Sequence, residues 1–210
     1  MMKSLALLPR RPDLARAQFR DYYETRHAPL ALRHFPFAKY VRNHLLDHDG
    51  IGFDTISEFW SNDLAGLAAL MGGEIGVIMR EDERRFMDQP AIRSAGAEET
   101  LLAGTPRTVE DRRRRKEALL LRCPNGVAPS AFAAAAADWG RALAADAGAT
   151  LERVTLDVVV PWEGAPWPFD AVLWLWTAGT APARARQVGP GVALWEAVAV
   201  EACESAARDG

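Results

Sequence analysis

Apolar residues in the first half of the chain recur at two spacings, and each change of spacing marks a predicted element. Alternating or short apolar runs predict strands at 3–9, 38–46, 54–60 and 97–103. Helical spacing predicts a long helix at 14–33, a short helix capped by Asn62 or Asp63, and a further helical segment at 79–87. The resulting order, β-α-β-β-α-β, is that of a ferredoxin-like unit.

The same order begins again after residue 116, with little sequence identity. Strands are predicted at 117–122, 151–160, 169–177 and 194–203, with an alanine-rich helix at 131–147 and a short helix at 181–188. The repeat distance is roughly 110 residues, which indicates a tandem of two like units and not a short-period solenoid. We therefore divide the chain into a first unit at 1–104, a linker at 105–116 and a second, degenerate unit at 117–210.

Two such units in one chain suggest how their sheets are covered. A ferredoxin-like unit carries its helices on one face of the sheet, so the other face must be buried by something else. Pressing the two open faces together would form one α+β barrel with a pocket inside. Left uncovered, either face would be too large an apolar patch for a monomer. We expect a monomer with an internal pseudo-dimer, or a homodimer.

Composition and charge restrict the function classes. The chain has 210 residues, is 49% hydrophobic and carries a net charge of −3, as an ordinary globular protein does. This charge favours neither nucleic acid nor an anionic membrane. The basic run at 112–116 lies next to Glu110, Asp111 and Glu117, so a solvated linker is favoured over a polyanion contact.

Cysteine usage and hydropathy point to the cytoplasm. Cys123 and Cys203 lie far apart in apolar runs, without the spacing of a metal site. The apolar run near the N-terminus is too short for a signal sequence, and none approaches the ~18 residues of a membrane span. We expect a cytoplasmic protein without a membrane partner.

A tyrosine and a histidine in the long predicted helix form the clearest candidate site. Tyr23 and His27 are four residues apart and therefore point to one face. Pro29 should end or bend the helix just beyond them. His27 is suited to proton transfer near neutral pH, although a histidine at a helix end can also simply cap carbonyl groups. Tyr23 either binds a substrate carbonyl group or packs in the core.

Further candidates lie on the second and third strands. Tyr40, Arg42 and His44 share one face of the second strand, and Val41 and Asn43 share the other. Pattern alone does not say which set faces the barrel interior, and for His44 an exposed surface position is favoured. On the third strand, Glu58 lies with Ile56 and Trp60; a carboxylate among apolar neighbours is a candidate general base. No histidine pair has metal-ligand spacing, so we predict no metal. Neither GxGxxG nor GxxxxGK(S/T) occurs, and we predict no cofactor.

Several segments of residues 3–104 resemble the EthD-like family of the dimeric α+β barrel superfamily. They are Leu5-Ala6-Leu7-Leu8-Pro9-Arg10-Arg11-Pro12, Tyr22-Tyr23-Glu24-Thr25-Arg26-His27-Ala28-Pro29-Leu30, Tyr40-Val41-Arg42-Asn43-His44, Ile56-Ser57-Glu58-Phe59-Trp60 and Asp82-Glu83-Arg84-Arg85-Phe86-Met87-Asp88. Residues 117–203 match only in element order and lack the tyrosine–histidine motif. The resemblance implies barrels of two ferredoxin-like units, usually homodimeric. Relatives include cyclases, decarboxylases, dehydratases, isomerases and cofactor-free quinone-forming monooxygenases.

The resemblance leads to three hypotheses about function, since one fold hosts many chemistries. In the first, the protein is a cofactor-free dehydratase, cyclase or decarboxylase for a small planar aromatic or polycarbonyl ligand. His27, Tyr23 and Glu58 would then be catalytic. The residues expected to contact the substrate are Tyr22, Tyr40, Asn43, His44 and Trp60. The second hypothesis is a cofactor-free or haem-linked oxygenase, and the third is a non-catalytic small-molecule binder or scaffold.

Overall fold

The computed structural model of the chain describes residues 1–46, 50–106, 109–110, 115–162, 166–178 and 188–205. Its strands form one closed barrel in the order β1-β3-β2-β8-β5-β7-β6-β4. They are β1 (Met2–Leu8), β2 (Lys39–Leu45), β3 (Thr55–Ser61), β4 (Arg93–Gly104), β5 (Arg115–Arg122), β6 (Leu151–Pro161), β7 (Ala171–Thr177) and β8 (Ala193–Ser205). Each strand predicted from the sequence is present, with ends shifted by a few residues.

Helices lie outside the barrel. They are α1 (Arg16–Tyr22), α2 (Ala28–His34), α3 (Leu64–Gly72), α4 (Glu74–Glu83) and α5 (Pro129–Ala147), with a π-helical turn (Tyr23–His27) between α1 and α2. Asp63 caps α3 by accepting a hydrogen bond from the amide of Gly66 at 2.8 Å. Gly148, with φ of 54°, ends α5, where a left-handed residue is needed. Residues 181–187 of the predicted short helix and half of the predicted linker, 107–108 and 111–114, lie outside the described residues.

The barrel closes within one chain through two seams between its halves. At one seam β2 pairs with β8, and at the other β4 pairs with β6, both antiparallel. Each half contributes four neighbouring strands, in the order β4-β1-β3-β2 in one and β8-β5-β7-β6 in the other. The backbone hydrogen bonds of the barrel therefore join the two halves into one sheet.

Alternating side chains of each strand point to the barrel interior and to the helices. Leu5, Leu7 and Ile56 of the first half meet Trp174 and Val198 of the second half in the interior. The opposite face of β1 packs under α1, α2 and α4 in a separate apolar cluster. Both faces of β1, β2 and β3 are thus buried, which explains why their sequence pattern is not a simple alternation of apolar and polar residues.

The predicted exposure of Lys116 is wrong. Lys116 was placed in a solvated linker, but it lies in β5, points into the barrel interior and is 1% exposed. Trp174 and Trp176 fill the same interior as core residues. In the described part of the chain, every helix is too short or too polar to cross a membrane.

Candidate functional site

A cleft of about 1080 Å³ lies between the helices and the outer face of the first-half sheet. Its floor includes Ser4, Ala6 and Ser94, and its apolar walls include Phe35, Phe37, Tyr40, Phe59, Met71, Met79 and Met87. Tyr23 and His27 both line it. This position differs from the expected pocket inside the barrel, because the described interior is filled by the apolar cluster and buried charges.

The π-helical turn places the tyrosine and the histidine. Within the turn, the amide of Ala28 donates to the carbonyl oxygen of Tyr23, five residues earlier, where an α-helix would use four. Pro29, which has no amide hydrogen, then occupies the first turn of α2, so the chain stays helical as far as His34. The predicted break after His27 is therefore a change of helix type. The rings of Tyr23 and His27 meet edge to face at 5.2 Å.

His27 is held by a carboxylate on α4. Its Nδ1 lies 2.9 Å from Oδ2 of Asp82, and the hydroxyl of Tyr22 donates to Oδ1 of the same carboxylate at 2.7 Å. Burial acts to raise the pKa of Asp82, but the hydrogen bonds from His27 and Tyr22 outweigh it and lower this pKa. An ionised Asp82 fixes the hydrogen of the neutral imidazole on Nδ1. The lone pair on Nε2 is then available, and Nε2 has no hydrogen-bond partner among the described residues.

Tyr23 belongs to a buried cluster of hydroxyl groups. Its oxygen lies 2.7 Å from that of Tyr40 and 2.8 Å from Oγ of Ser57. Burial raises the pKa of Tyr23 and of Tyr40 well above the ordinary value, so both phenols stay protonated. Tyr22, by contrast, reaches the site only through Asp82.

Two polar residues of the cleft were not found from the sequence, Glu83 and Gln89. Gln89 donates from Nε2 to Oε2 of Glu83 at 3.0 Å and to the carbonyl oxygen of Arg80 at 2.7 Å. Burial raises the pKa of Glu83. Both Asp82 and Glu83 lie in a run of six charged residues, 80–85, that resembles a solvated helix face. The family resemblance includes this segment but assigns neither residue a role, and the local signal of burial is their helical spacing from Met79 and Phe86.

His44 is buried, which contradicts the favoured surface position. Its Nδ1 lies 2.9 Å from the hydroxyl of Thr55 and its Nε2 lies 2.7 Å from Oε1 of Glu24. Burial lowers the pKa of His44. Glu24 also accepts a bidentate pair of hydrogen bonds from Arg42, at 2.9 and 2.7 Å. With both ring nitrogens engaged, His44 supports the π-helical turn and has no free atom for a ligand.

Glu58, Asn43 and Trp60 lie in the barrel interior, on the other side of the sheet from the cleft. Lys3 and Lys116 each place Nζ 2.7 Å from a Glu58 oxygen, and Asn43 donates to Oε1 at 2.7 Å. Burial acts to raise the pKa of Glu58, but the two ammonium groups hold it far below the ordinary value. A carboxylate paired in this way is a poor base, and the predicted general-base role of Glu58 does not fit this geometry.

Two groups of described residues bring three possible metal ligands within 4.8 Å of one another. In the first, Glu58, Glu99 and Asp157 surround the ammonium of Lys3 at 2.6 to 2.7 Å, so a cation already occupies the centre. The second group is Glu24, His44 and Cys203. There the guanidinium of Arg42 lies against Glu24 and disfavours a further cation. Neither group leads us to propose a metal.

Comparison with known proteins supports the fold and the first-half motif. The chain resembles an anthrone oxidase-like protein at 11% identity, covering 99% of this chain and 94% of that one, with a TM-score of 0.65. It also resembles candidate monooxygenases from Fusobacterium nucleatum (9% identity, 96% and 91% covered, TM-score 0.58) and Lactobacillus acidophilus (8% identity, 98% and 95% covered, TM-score 0.54). No curated protein matches the sequence significantly. Residues 11–90 match the EthD domain, which confirms the family resemblance over the segment that carries Tyr23, His27 and Asp82.

Proposed function

We propose that the protein is a cofactor-free enzyme that removes a proton from a small planar aromatic or polycarbonyl compound. The observation that carries this proposal is the pairing of His27 Nδ1 with Asp82 at 2.9 Å, beside an apolar cleft of about 1080 Å³. A base with its second nitrogen at an apolar cleft wall is suited to proton abstraction. Asp82 would stabilise the imidazolium that forms.

The walls of the cleft support an uncharged, planar substrate. Tyr40 stacks on Phe59 with ring centroids 4.7 Å apart, and Phe35 stacks on Phe37 at 5.4 Å. Three methionine side chains in the lining, Met71, Met79 and Met87, supply a deformable apolar surface. We assign the role of donor to a developing oxyanion to the buried hydroxyl groups of Tyr23 and Tyr40, which lie 2.7 Å apart beside the cleft. Dehydration, cyclisation and decarboxylation can each begin with such a proton transfer.

A second candidate, an oxygenase, is favoured by the descriptions of the structural neighbours as monooxygenases and as anthrone oxidase-like. Here the same proton abstraction would give a carbanion that reacts directly with O₂. A haem-linked version fits less well. Among the described residues lining the cleft, Arg80 is the one lysine or arginine available to two propionates, and it already donates to the carbonyl oxygen of Met71.

Nitrobenzisoxazole tests the proposed base without knowledge of the natural substrate. Loss of its ring proton breaks the N–O bond and releases a coloured cyanophenolate. His27→Ala should lower kcat/KM for this probe at least ~100-fold while the protein stays folded. His34→Ala, at the end of α2 and outside the cleft lining, is the matched control. Equal rates for wild type and His27→Ala would contradict the proposal and favour a non-catalytic binder.

Anthrone separates the two enzyme classes. An oxygenase should consume one O₂ per anthrone and produce anthraquinone and water, with a rate that depends on His27. If O₂ uptake does not exceed the uncatalysed rate but nitrobenzisoxazole cleavage depends on His27, the oxygenase is excluded. The dehydratase, cyclase or decarboxylase class is then favoured. A Soret band in the purified protein would contradict the cofactor-free proposal.

We also propose that the two halves are tandem ferredoxin-like units, in a monomeric cytoplasmic protein. The identical relative strand order of the halves supports this, as does barrel closure within one chain. Measuring the solution mass tests the monomer, and subcellular fractionation tests the location.

A further inference from the structure

We propose that Trp162, a residue of the second half, forms an aromatic wall of the first-half cleft and stacks against the planar ligand. The inference rests on the proposed function, since it assumes that the cleft binds a planar aromatic compound. It concerns ligand binding, whereas His27 concerns proton transfer. An experiment can therefore contradict the role of Trp162 without contradicting the role of His27, and the reverse.

The first observation is the place of Trp162 in the chain and in the cleft. It follows directly after β6, which joins the two halves by pairing with β4. The other residues that line the cleft, from Ser4 to Ser94, all belong to the first half. Trp162 is thus the one described second-half residue in the lining. The site is composite although only one half carries the tyrosine–histidine motif.

The second observation is the unusual exposure of this indole. Trp162 is 47% exposed, whereas Trp60, Trp139, Trp174 and Trp176 are each at most 7% exposed. A large aromatic side chain at the rim of an apolar cleft exposes surface that a flat ligand can cover. Stacking with an aromatic ring stabilises such contacts beyond the burial of area alone.

Gly96 on β4 gives the indole its position. Gly96 pairs with Val160 across the seam, and a side chain added there would lie 3.6 Å from Nε1 of Trp162. The indole therefore lies directly beside the backbone of β4, two residues from Ser94 on the cleft floor. A β-branched residue at position 96 would carry atoms beyond this first carbon and push the indole outward.

A hydroxylated anthraquinone is the planar probe, and equilibrium dialysis measures its Kd. Trp162→Ala should weaken binding about 2- to 13-fold, the range that an aromatic pair supplies. Trp162→Phe should restore most of the affinity. Leu101→Ala, which truncates an apolar residue of 40% exposure outside the cleft lining, should bind as wild type does.

Acrylamide quenching of tryptophan fluorescence provides a reading that a purely structural role would not give. The probe should lower the fraction of quenchable emission in wild type, and this change should disappear in Trp162→Phe. The inference would be overturned if Trp162→Ala bound the probe with an unchanged Kd. It would also be overturned if the probe protected the emission of Trp162→Phe from acrylamide as much as that of wild type. Neither result would affect a His27-dependent rate. Failure of the wild-type protein to bind the probe at all would overturn both the inference and the proposed substrate class.

Discussion

Replacing Lys116 by Met tests the buried charges that join the two halves. Lys116 Nζ lies 2.7 Å from Glu58 and 4.1 Å from the Trp174 ring centroid. Removing one partner of a buried ion pair typically costs about 3–5 kcal/mol. Because Glu58 keeps Lys3 and Asn43 at 2.7 Å each, the lower end applies. The lost cation–π contact adds about 1 kcal/mol. We therefore expect the free energy of unfolding to fall by about 3–4 kcal/mol.

The loss in Lys116→Met should depend on pH. In wild type the folded-state pKa of Glu58 lies below its ordinary value of 4.5. A carboxyl group of this kind contributes stability that is present above the ordinary pKa and is lost as pH falls through the folded-state pKa. Removing Lys116 reduces the shift. The gap between wild type and variant should accordingly be widest above about pH 5 and should narrow as the solution becomes more acidic.

Urea denaturation followed by circular dichroism measures both quantities, provided that unfolding is a single transition. Lys116→Met/Glu58→Gln removes the uncompensated carboxylate as well. It should recover about 2 kcal/mol of the loss, as coupling within one network requires. Arg141→Met, which breaks an exposed ion pair with Asp138, should change stability by less than about 0.5 kcal/mol. If Lys116→Met lost no more stability than Arg141→Met does, and if that loss did not change with pH, the reasoning would be refuted.

Two further predictions concern other carboxylates. Asp82→Asn removes the charge that orients His27 and should lower the nitrobenzisoxazole rate about 100-fold with little change in probe binding; unaltered kcat would contradict this. Burial raises the pKa of Asp157 from 3.8 to about 6 against the attraction of Lys3. Its contribution to stability is therefore present at low pH and lost as pH rises through about 6. The free energy of unfolding of Asp157→Asn, taken relative to that of wild type, should therefore rise by on the order of 3 kcal/mol as pH increases from about 4 to 7. Parallel pH profiles of denaturation would refute it.

The order of the elements could be predicted from the sequence because each one carries its own local pattern. Asp63 and Gly148 mark helix ends through local chemistry, and the structure places them at the ends of α3 and α5. Tyr23 and His27 are likewise within one helical turn, so their shared face followed from spacing alone. Pro29 was harder. A proline can end a helix or be accommodated by a π-helical turn, and only the packing of the surrounding helix decides.

The faces of β2 and β3 could not be assigned locally, because both faces are buried and both carry polar groups. His44 and Glu58 look alike in the sequence as polar residues in apolar strands. Their environments are set by Glu24 and by Lys116, which are 20 and 58 residues away. Asp82 presents the same difficulty, since it meets His27 across 55 residues. Contacts at such separations follow from the barrel topology and cannot be predicted from the periodicity of the sequence.

The same topology accounts for a motif in only one half. In the second half, α5 packs directly on the outer face of β6 and β7 through Phe132, Ala136 and Trp139. Gly140 lets α5 approach Leu173 so closely that an added side-chain carbon would lie 2.8 Å from that leucine. In the first half, the corresponding region between sheet and helices is the cleft. Selection for proton transfer would therefore act on one half. The other half would be constrained by barrel closure, by Lys116 and by the indole of Trp162.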